Sequence, residues 1–371
     1  MSLKAGIVGL PNVGKSTLFN AITNSHVLAE NYPFATINPN TGVVIVPDER
    51  LDFLTNMFQP LRKVNATFEF YDIAGLVKGA SKGEGLGNQF LAAIRECDAI
   101  VEVVRCFDNA QVLRYHEDPV DPKADIEVIN LELSMSDLDS INNRIGKQDV
   151  RARVAHDKVA MYEMPILNAL KECLDQGIPA RLAKGLTEEQ RLYARKNFFL
   201  LTTKPILYVA NVADSDYTDL SACKYYQIVK GIAESEGAEC IPLSCEIEFE
   251  ISQMPSLQDR KDFLESIGAT ESGLDKLVKA SYKLLNLSTF FTCGKDECRA
   301  WTFKNGMTAP ECAGIIHSDF QKGFIKAETY DFENLKTLGS EAAVKEAGKL
   351  RSEGKEYVMK DGDVVFFKFN V

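Results

Sequence analysis

No two of the nine cysteines stand in a Cys-x-x-Cys pair, and their number is odd. A zinc ribbon, a thioredoxin-like redox site and a disulfide framework are therefore not indicated. Reduced core cysteines, as in a cytoplasmic protein, are the expectation. No apolar run approaches the ~20 residues a spanning helix needs, so no membrane partner is expected. The sequence runs straight from its first residues into an apolar strand, so no signal peptide is expected. There is no basic excess either. The net charge is −11, so the chain as a whole is not a general nucleic-acid binder, and DNA is not expected as a partner. At 371 residues it is too long for one ordinary core, and two or three domains are expected.

What is present is concentrated near the start. Gly9-Leu10-Pro11-Asn12-Val13-Gly14-Lys15-Ser16-Thr17 fills every fixed position of the phosphate-loop pattern Gly-x-x-x-x-Gly-Lys-Ser/Thr. The apolar run Leu3 to Val8 precedes it, and a helical pattern from Thr17 to Thr23 follows it. Glycines let the backbone turn so that successive N–H groups face phosphate oxygens, and the helix N-terminus adds partial positive charge. Asn12, Val13, Gly14, Lys15, Ser16 and Thr17 are the expected nucleotide-binding residues. Lys15 should reach the terminal phosphates, and the Ser16 hydroxyl should ligate Mg2+. Asn12 could help hold K+ beside the phosphates.

Further elements fit a nucleotide switch. A loop rich in Pro and Asn follows from 31 to 40, where Thr36 is the candidate second magnesium ligand and Thr41 its competitor. Thr41 to Val46 and Thr67 to Tyr71 read as strands, the second ending in Asp72-Ile73-Ala74-Gly75. Asp72 is placed to polarise a magnesium-bound water, and the Gly75 N–H to sense the γ-phosphate. Position 76, where Ras-type GTPases carry a water-orienting glutamine, holds Leu76, so either another group positions the attacking water or intrinsic turnover is very slow. Asn211-Val212-Ala213-Asp214 ends a later strand in the place of the guanine-reading Asn-Lys-x-Asp motif, with valine for lysine. Asn211, Val212, Asp214 and Ser244 are the expected base-side residues.

Between 123 and 202 no strand is evident. Ile126, Leu131, Met135, Leu138, Ile141 and Ile145 form a helical stripe up to Gly146, Pro165 is read as opening a second helix, and Thr187-Glu188-Glu189-Gln190 is a capping box for a third. Arg144, Lys147, Arg151, Arg153 and Lys158 suggest a basic tip suited to RNA phosphates, or else a solvated helical face. From Asn286 the texture becomes mixed: strands at 289–292, 299–303 and 364–369, helices at 309–316 and 339–350. The fold class expected is α/β. A P-loop NTPase domain (1–122 and 203–285) carries a helical, coiled-coil-like insertion (123–202) and is followed by a small α+β domain (286–371).

The phosphate loop, the segment Tyr32-Pro33-Phe34-Ala35-Thr36-Ile37-Asn38-Pro39-Asn40, the segment Asp72 to Ala80 and the tail Asp361-Gly362-Asp363-Val364-Val365-Phe366-Phe367-Lys368-Phe369-Asn370 together resemble the YchF / Obg-like ATPase family over the full length. The resemblance implies a cytoplasmic, ribosome-associated P-loop NTPase with a C-terminal TGS domain of β-grasp type, and a preference for ATP over GTP. Leu76 matches that family's hydrophobic replacement of the catalytic glutamine. Asp214 departs from its usual Asn-x-x-Glu, which leaves GTP possible. A small-molecule kinase lacks support, since no arginine-rich lid is evident. A binding protein that uses nucleotide as a clamp stays open.

Overall fold

The computed structural model describes residues 3–26, 40–73, 86–109 and 119–370. The first part runs β1 (Lys4–Val8), α1 (Lys15–His26), β2 (Thr41–Ile45), α2 (Glu49–Phe58), β3 (Arg62–Val64), β4 (Thr67–Asp72), α3 (Leu86–Glu96) and β5 (Ala99–Cys106). Helices α4 (Pro122–Val154), α5 (Lys158–Asp175) and α6 (Glu188–Asn197) follow, then β6 (Ile206–Val212), α7 (Lys224–Glu236), β7 (Glu239–Leu243), α8 (Cys245–Gln253), α9 (Leu257–Ser266) and α10 (Gly273–Leu284). The remainder is β8 (Leu287–Cys293), β9 (Glu297–Lys304), α11 (Ala309–Ile316), α12 (Ser318–Lys322), β10 (Phe324–Asp331), α13 (Phe332–Leu338), α14 (Glu341–Glu346), β11 (Arg351–Glu353) and β12 (Asp363–Phe369). The chain forms two compact units, Met1–Val43 with Glu69–Ala280 and Val44–Phe68 with Ser281–Val371.

The first sheet has the order β2-β4-β1-β5-β6-β7. Strands β4, β1, β5, β6 and β7 are parallel. Every residue of β5 and of β6 is buried, which is why these central strands read as apolar runs without alternation. Glu102 breaks that run. It is 0% exposed, and neither carboxyl oxygen has a hydrogen-bond partner. Burial pushes its pKa up to about 8, against the pull of Arg181. The folded state thus disfavours ionised Glu102, and this cost grows as pH rises from the ordinary carboxyl range through about 8. Glu102→Gln is expected to gain on wild type by on the order of 3 kcal/mol between pH 5 and pH 8.5 in urea unfolding. Parallel pH profiles would remove Glu102 as the cause.

The helical arm differs from its sequence reading in three places. Helix α4 continues through Gly146 to Val154, its start fixed by the Asp121 carboxylate accepting the Lys123 and Ala124 N–H groups at 3.0 and 3.2 Å. Leu131 and Met135 are exposed, and the inner face carries Ile126, Ile129, Leu133 and Ile141 with the buried polar Asn130 and Asp137 among them. Asp137 accepts from Leu201 N–H, Thr202 N–H and the Thr202 hydroxyl at 2.6–2.8 Å, so a carboxylate occupies a place that an apolar pattern skips. Helix α5 starts not at Pro165 but after Asp157, which caps Val159 and Ala160 N–H, and Pro165 lies within it. Ile166, Leu167, Leu170 and Leu174 do form the arm's core, with Ile141, Ala194, Phe198 and Leu200. The Thr187–Gln190 capping box forms as read.

The basic tip is corrected in part. Arg144 faces inward: it pairs bidentately with the buried Glu163 at 3.0 and 2.6 Å, and its guanidinium lies 4.4 Å from the Phe198 ring centroid. Arg151 pairs with Asp157, and Arg153 with Asp149.

The second unit has a six-stranded mixed sheet, β11-β10-β12-β8-β9-β3. Its core is Phe290, Phe303, Phe324, Val365 and Phe367 under α11. Strand β3, from residues read as part of the nucleotide-binding domain, pairs parallel with β9. The contact pattern thus assigns 44–68 to this unit and keeps the helical arm in the first. The helix read at 339–350 forms but is shorter: α14 spans Glu341–Glu346, set off from α13 by Gly339 (φ +78) and followed by β11. The acidic tail residues serve structure. Asp361 accepts from Arg50 at 2.7 Å and from Thr289 N–H at 2.9 Å. The fully buried Asp363 accepts from Arg351 at 3.0 Å and from the Tyr357 hydroxyl at 2.8 Å.

Candidate nucleotide site

The loop 9–14 leaves β1 at the C-terminal edge of the parallel sheet and delivers the chain to α1. Gly14 has φ +100, and a Cβ there would lie 2.2 Å from Asn211 Nδ2, so only glycine fits. A Cβ on Gly9 would meet Val103 O at 2.8 Å. Helix α1 begins at Lys15 and has no acidic residue in its first turn, so its N-terminus keeps its positive end for an anion. Lys15 is 9% exposed, and its ammonium meets the Asp72 carboxylate at the end of β4. Asp72 is fixed by the register Ile7↔Asp72 and by its N–H donating to Asn40 O at 2.8 Å. Ser16 is exposed beside them.

From the other side, the buried Asn211 at the end of β6 donates to Val13 O at 2.8 Å and accepts from Cys245 N–H at 2.9 Å. One side chain therefore ties the phosphate loop to the start of α8. Val212 is buried. Asp214 is exposed and accepts from the Ser244 hydroxyl. That hydroxyl also caps α8, accepting from Ile247 N–H at 3.2 Å, so its donor is already engaged within the protein.

These groups surround one cleft of about 1030 Å3, lined by Asn12, Gly14, Lys15, Ser16 and Thr17 on the phosphate side and by Asn211, Val212, Asp214 and Ser244 opposite. Thr41 opens β2. Thr36, Gly75 and Leu76 lie outside the described residues.

Sequence reading missed part of the wall. Phe107, Asp108, Asn109, Glu246 and Phe249 also line the cleft. Arg105 shapes that wall: it is buried, donates to Phe107 O at 3.1 Å and Asn109 O at 3.2 Å, and lies 4.6 Å from the Phe107 ring centroid. The signal available was topological. In an open parallel sheet the crevice forms beyond the carboxyl ends of the strands, so the loop after β5 had to border it.

The donors suit a hard cation. Ser16 and Asp72 offer one hydroxyl and one carboxylate beside Lys15, a set that fits Mg2+ completed by phosphate oxygens and water. Among the described residues no cluster of three or more His, Cys, Asp or Glu could hold a metal alone. No described helix is long and apolar enough to cross a membrane.

Comparison with known proteins agrees with this geometry. Residues 4–136 match the family model MMR_HSR1, described as 50S ribosome-binding GTPase, and residues 287–370 match YchF-GTPase_C, described as a protein of unknown function. The chain is 53% identical to "Ribosome-binding ATPase YchF" of Bacillus subtilis, covering all of both chains. It is 44% identical to "Obg-like ATPase 1" of Caenorhabditis elegans, over all of this chain and 92% of that one. The solved Schizosaccharomyces pombe YchF GTPase aligns with a TM-score of 0.88 at 37% identity, covering 99% of this chain and 98% of that chain. A complete phosphate loop, the Asn211 tie and full-length similarity at this level place the chain in the YchF / Obg-like ATPase family.

Proposed function

We propose that this chain is a ribosome-associated P-loop NTPase of the cytoplasm that hydrolyses ATP to ADP and phosphate, slowly by itself. The observation that carries the reading is the convergence of Lys15, itself paired with Asp72, and the α1 N-terminus on one cleft that Asn211 closes from the other side. The names of the relatives, a ribosome-binding ATPase and an Obg-like ATPase, support it. Lys15 would move from Asp72 to the phosphates, and the carboxylate it leaves would then serve Mg2+ through water. That ion would neutralise charge on the phosphates. Ser16 is the direct ligand in this reading, with Thr36 a second. Gly75 and Leu76 complete the switch, and K+ beside Asn12 would add positive charge. The segments 123–202 and 286–371 are the docking modules toward ribosomal RNA.

ATP is favoured over GTP on the family's weight and on two features. Val212 is buried where a guanine clamp needs lysine, and Asp214 already holds the Ser244 hydroxyl. Main-chain groups around Val212 would then read adenine's amino group. The second reading is GTP, because Asp214 lines the cleft and a carboxylate accepts from guanine's N1–H and amino group. Turnover of each nucleotide with and without ribosomes tests the function and separates a hydrolase from a nucleotide-clamped binder. For the base, competition binding is expected to favour ATP in wild type and in Asp214→Ala alike. A tenfold GTP advantage, lost in the variant, would overturn the ATP reading; such a bond contributes ~1–3 kcal/mol.

A further inference from the structure

Helix α6 ends in a way that neither backbone preference nor packing explains. Its C-cap is Phe198. The next residue, Phe199, has φ +54. Left-handed backbone just past a helix end is the place where glycine is most favoured and a bulky side chain least. A buried ring would account for the choice, but Phe199 is 76% exposed. Its neighbours Phe198 and Leu200 are the ones in the arm's core. The strained residue is thus the one aimed at solvent.

The surface leading to it has a pattern. Leu192, Arg195 and Lys196 stand at i, i+3 and i+4 on one face of α6, Phe199 follows just past the helix end, and all four are exposed. Among the described residues neither Arg195 nor Lys196 forms an ion pair, in contrast to Arg151 and Arg153 at the tip, which do. The acidic Glu188 and Glu189 sit at the far end of the helix. An exposed aromatic ring, two unpaired cations and an adjoining apolar side chain complement a strand that offers a base face and phosphates. A protein helix would ask for a broader apolar face than Leu192 and Phe199 supply.

We propose that the C-terminal end of α6 is a platform for an unpaired RNA base, which stacks on Phe199 while Arg195 and Lys196 hold the flanking phosphates. This rests on the ribosome-associated reading above and deepens it by moving the arm's RNA contact from the tip to α6. A phenylalanine ring has only two side-chain torsions to fix on stacking, and every base has a face it can use.

The test uses the full-length protein and a short fluorescein-labelled single-stranded RNA, with its duplex as comparison, read by anisotropy. Phe199→Gly is expected to weaken single-strand binding about tenfold and duplex binding much less. It should not lower, and should slightly raise, the melting temperature, because glycine relieves the left-handed backbone. Phe199→Trp should restore binding. Arg195→Gln with Lys196→Gln should reduce the salt dependence of binding. Equal single-strand affinity in wild type and Phe199→Gly would overturn the proposal. So would a variant that loses ribosome co-sedimentation while wild type binds neither RNA, since the platform would then face a ribosomal protein. Failure of wild type itself to co-sediment with ribosomes would instead count against the ribosome-associated reading.

Discussion

Lys15→Ala is expected to remove tight triphosphate binding while leaving the fold intact. The lysine is held by β1, the loop and α1, and its only polar contact among those described is Asp72. A charge-assisted bond to phosphate is worth roughly 1.5–3 kcal/mol, and the site loses a full positive charge besides, so a fall in affinity of about a hundredfold or more is expected. Asp72 is partly exposed and stays solvated without its partner, which is why the melting curve should hardly change. Calorimetric titration with ATP and GTP, next to circular-dichroism melts, gives both answers. Unchanged affinity would remove the phosphate-loop assignment, and a collapse of the melt would show that the Lys15–Asp72 pair is a structural element.

The second large effect is on stability. Glu163→Ala is expected to destabilise the helical arm by about 3–5 kcal/mol, because it leaves the Arg144 guanidinium without its buried partner. The carboxylate also accepts from Gln148 at 2.7 Å and from the Tyr193 hydroxyl at 2.9 Å. Burial opposes its charge, but Arg144, Tyr193 and Gln148 together hold its pKa below the ordinary range. Its contribution should therefore be present at neutral pH and fade as the solution is acidified below the usual carboxyl range. Urea unfolding at pH 7 and in acid measures both the loss and its fading. Arg144→Ala should resemble Glu163→Ala, with no particular salt dependence of RNA binding. A loss under about 1 kcal/mol in both variants would return Arg144 to the surface role its sequence position suggested.

How far the sequence could be read depended on whether a residue's role was set by its neighbours in the chain. Gly14, Lys15 and Ser16 were legible because a phosphate loop needs fixed residue types at fixed spacing between a strand and a helix. Thr187 and Gln190 were legible for the same reason. Asn211 was legible as a motif, but its bonds to Val13 and Cys245 join segments far apart in the chain. The Phe107–Asn109 wall carried no motif at all. Arg105 shapes it through main-chain carbonyls, which any residues would have offered.

By itself, then, the sequence determined the phosphate loop, the parallel strands that flank it, the helical insertion and the family, since each rests on local spacing and hydrophobic period. Tertiary structure alone decided that β3 joins the second sheet, that Arg144 turns inward, that Asp137 holds the chain at Leu201 and Thr202, and that Phe199 faces water. The physical reason is common to all four. A strand or a side chain takes its place from what folding brings beside it or leaves open to water, and that lies outside any window of sequence in which a period or a motif can be read.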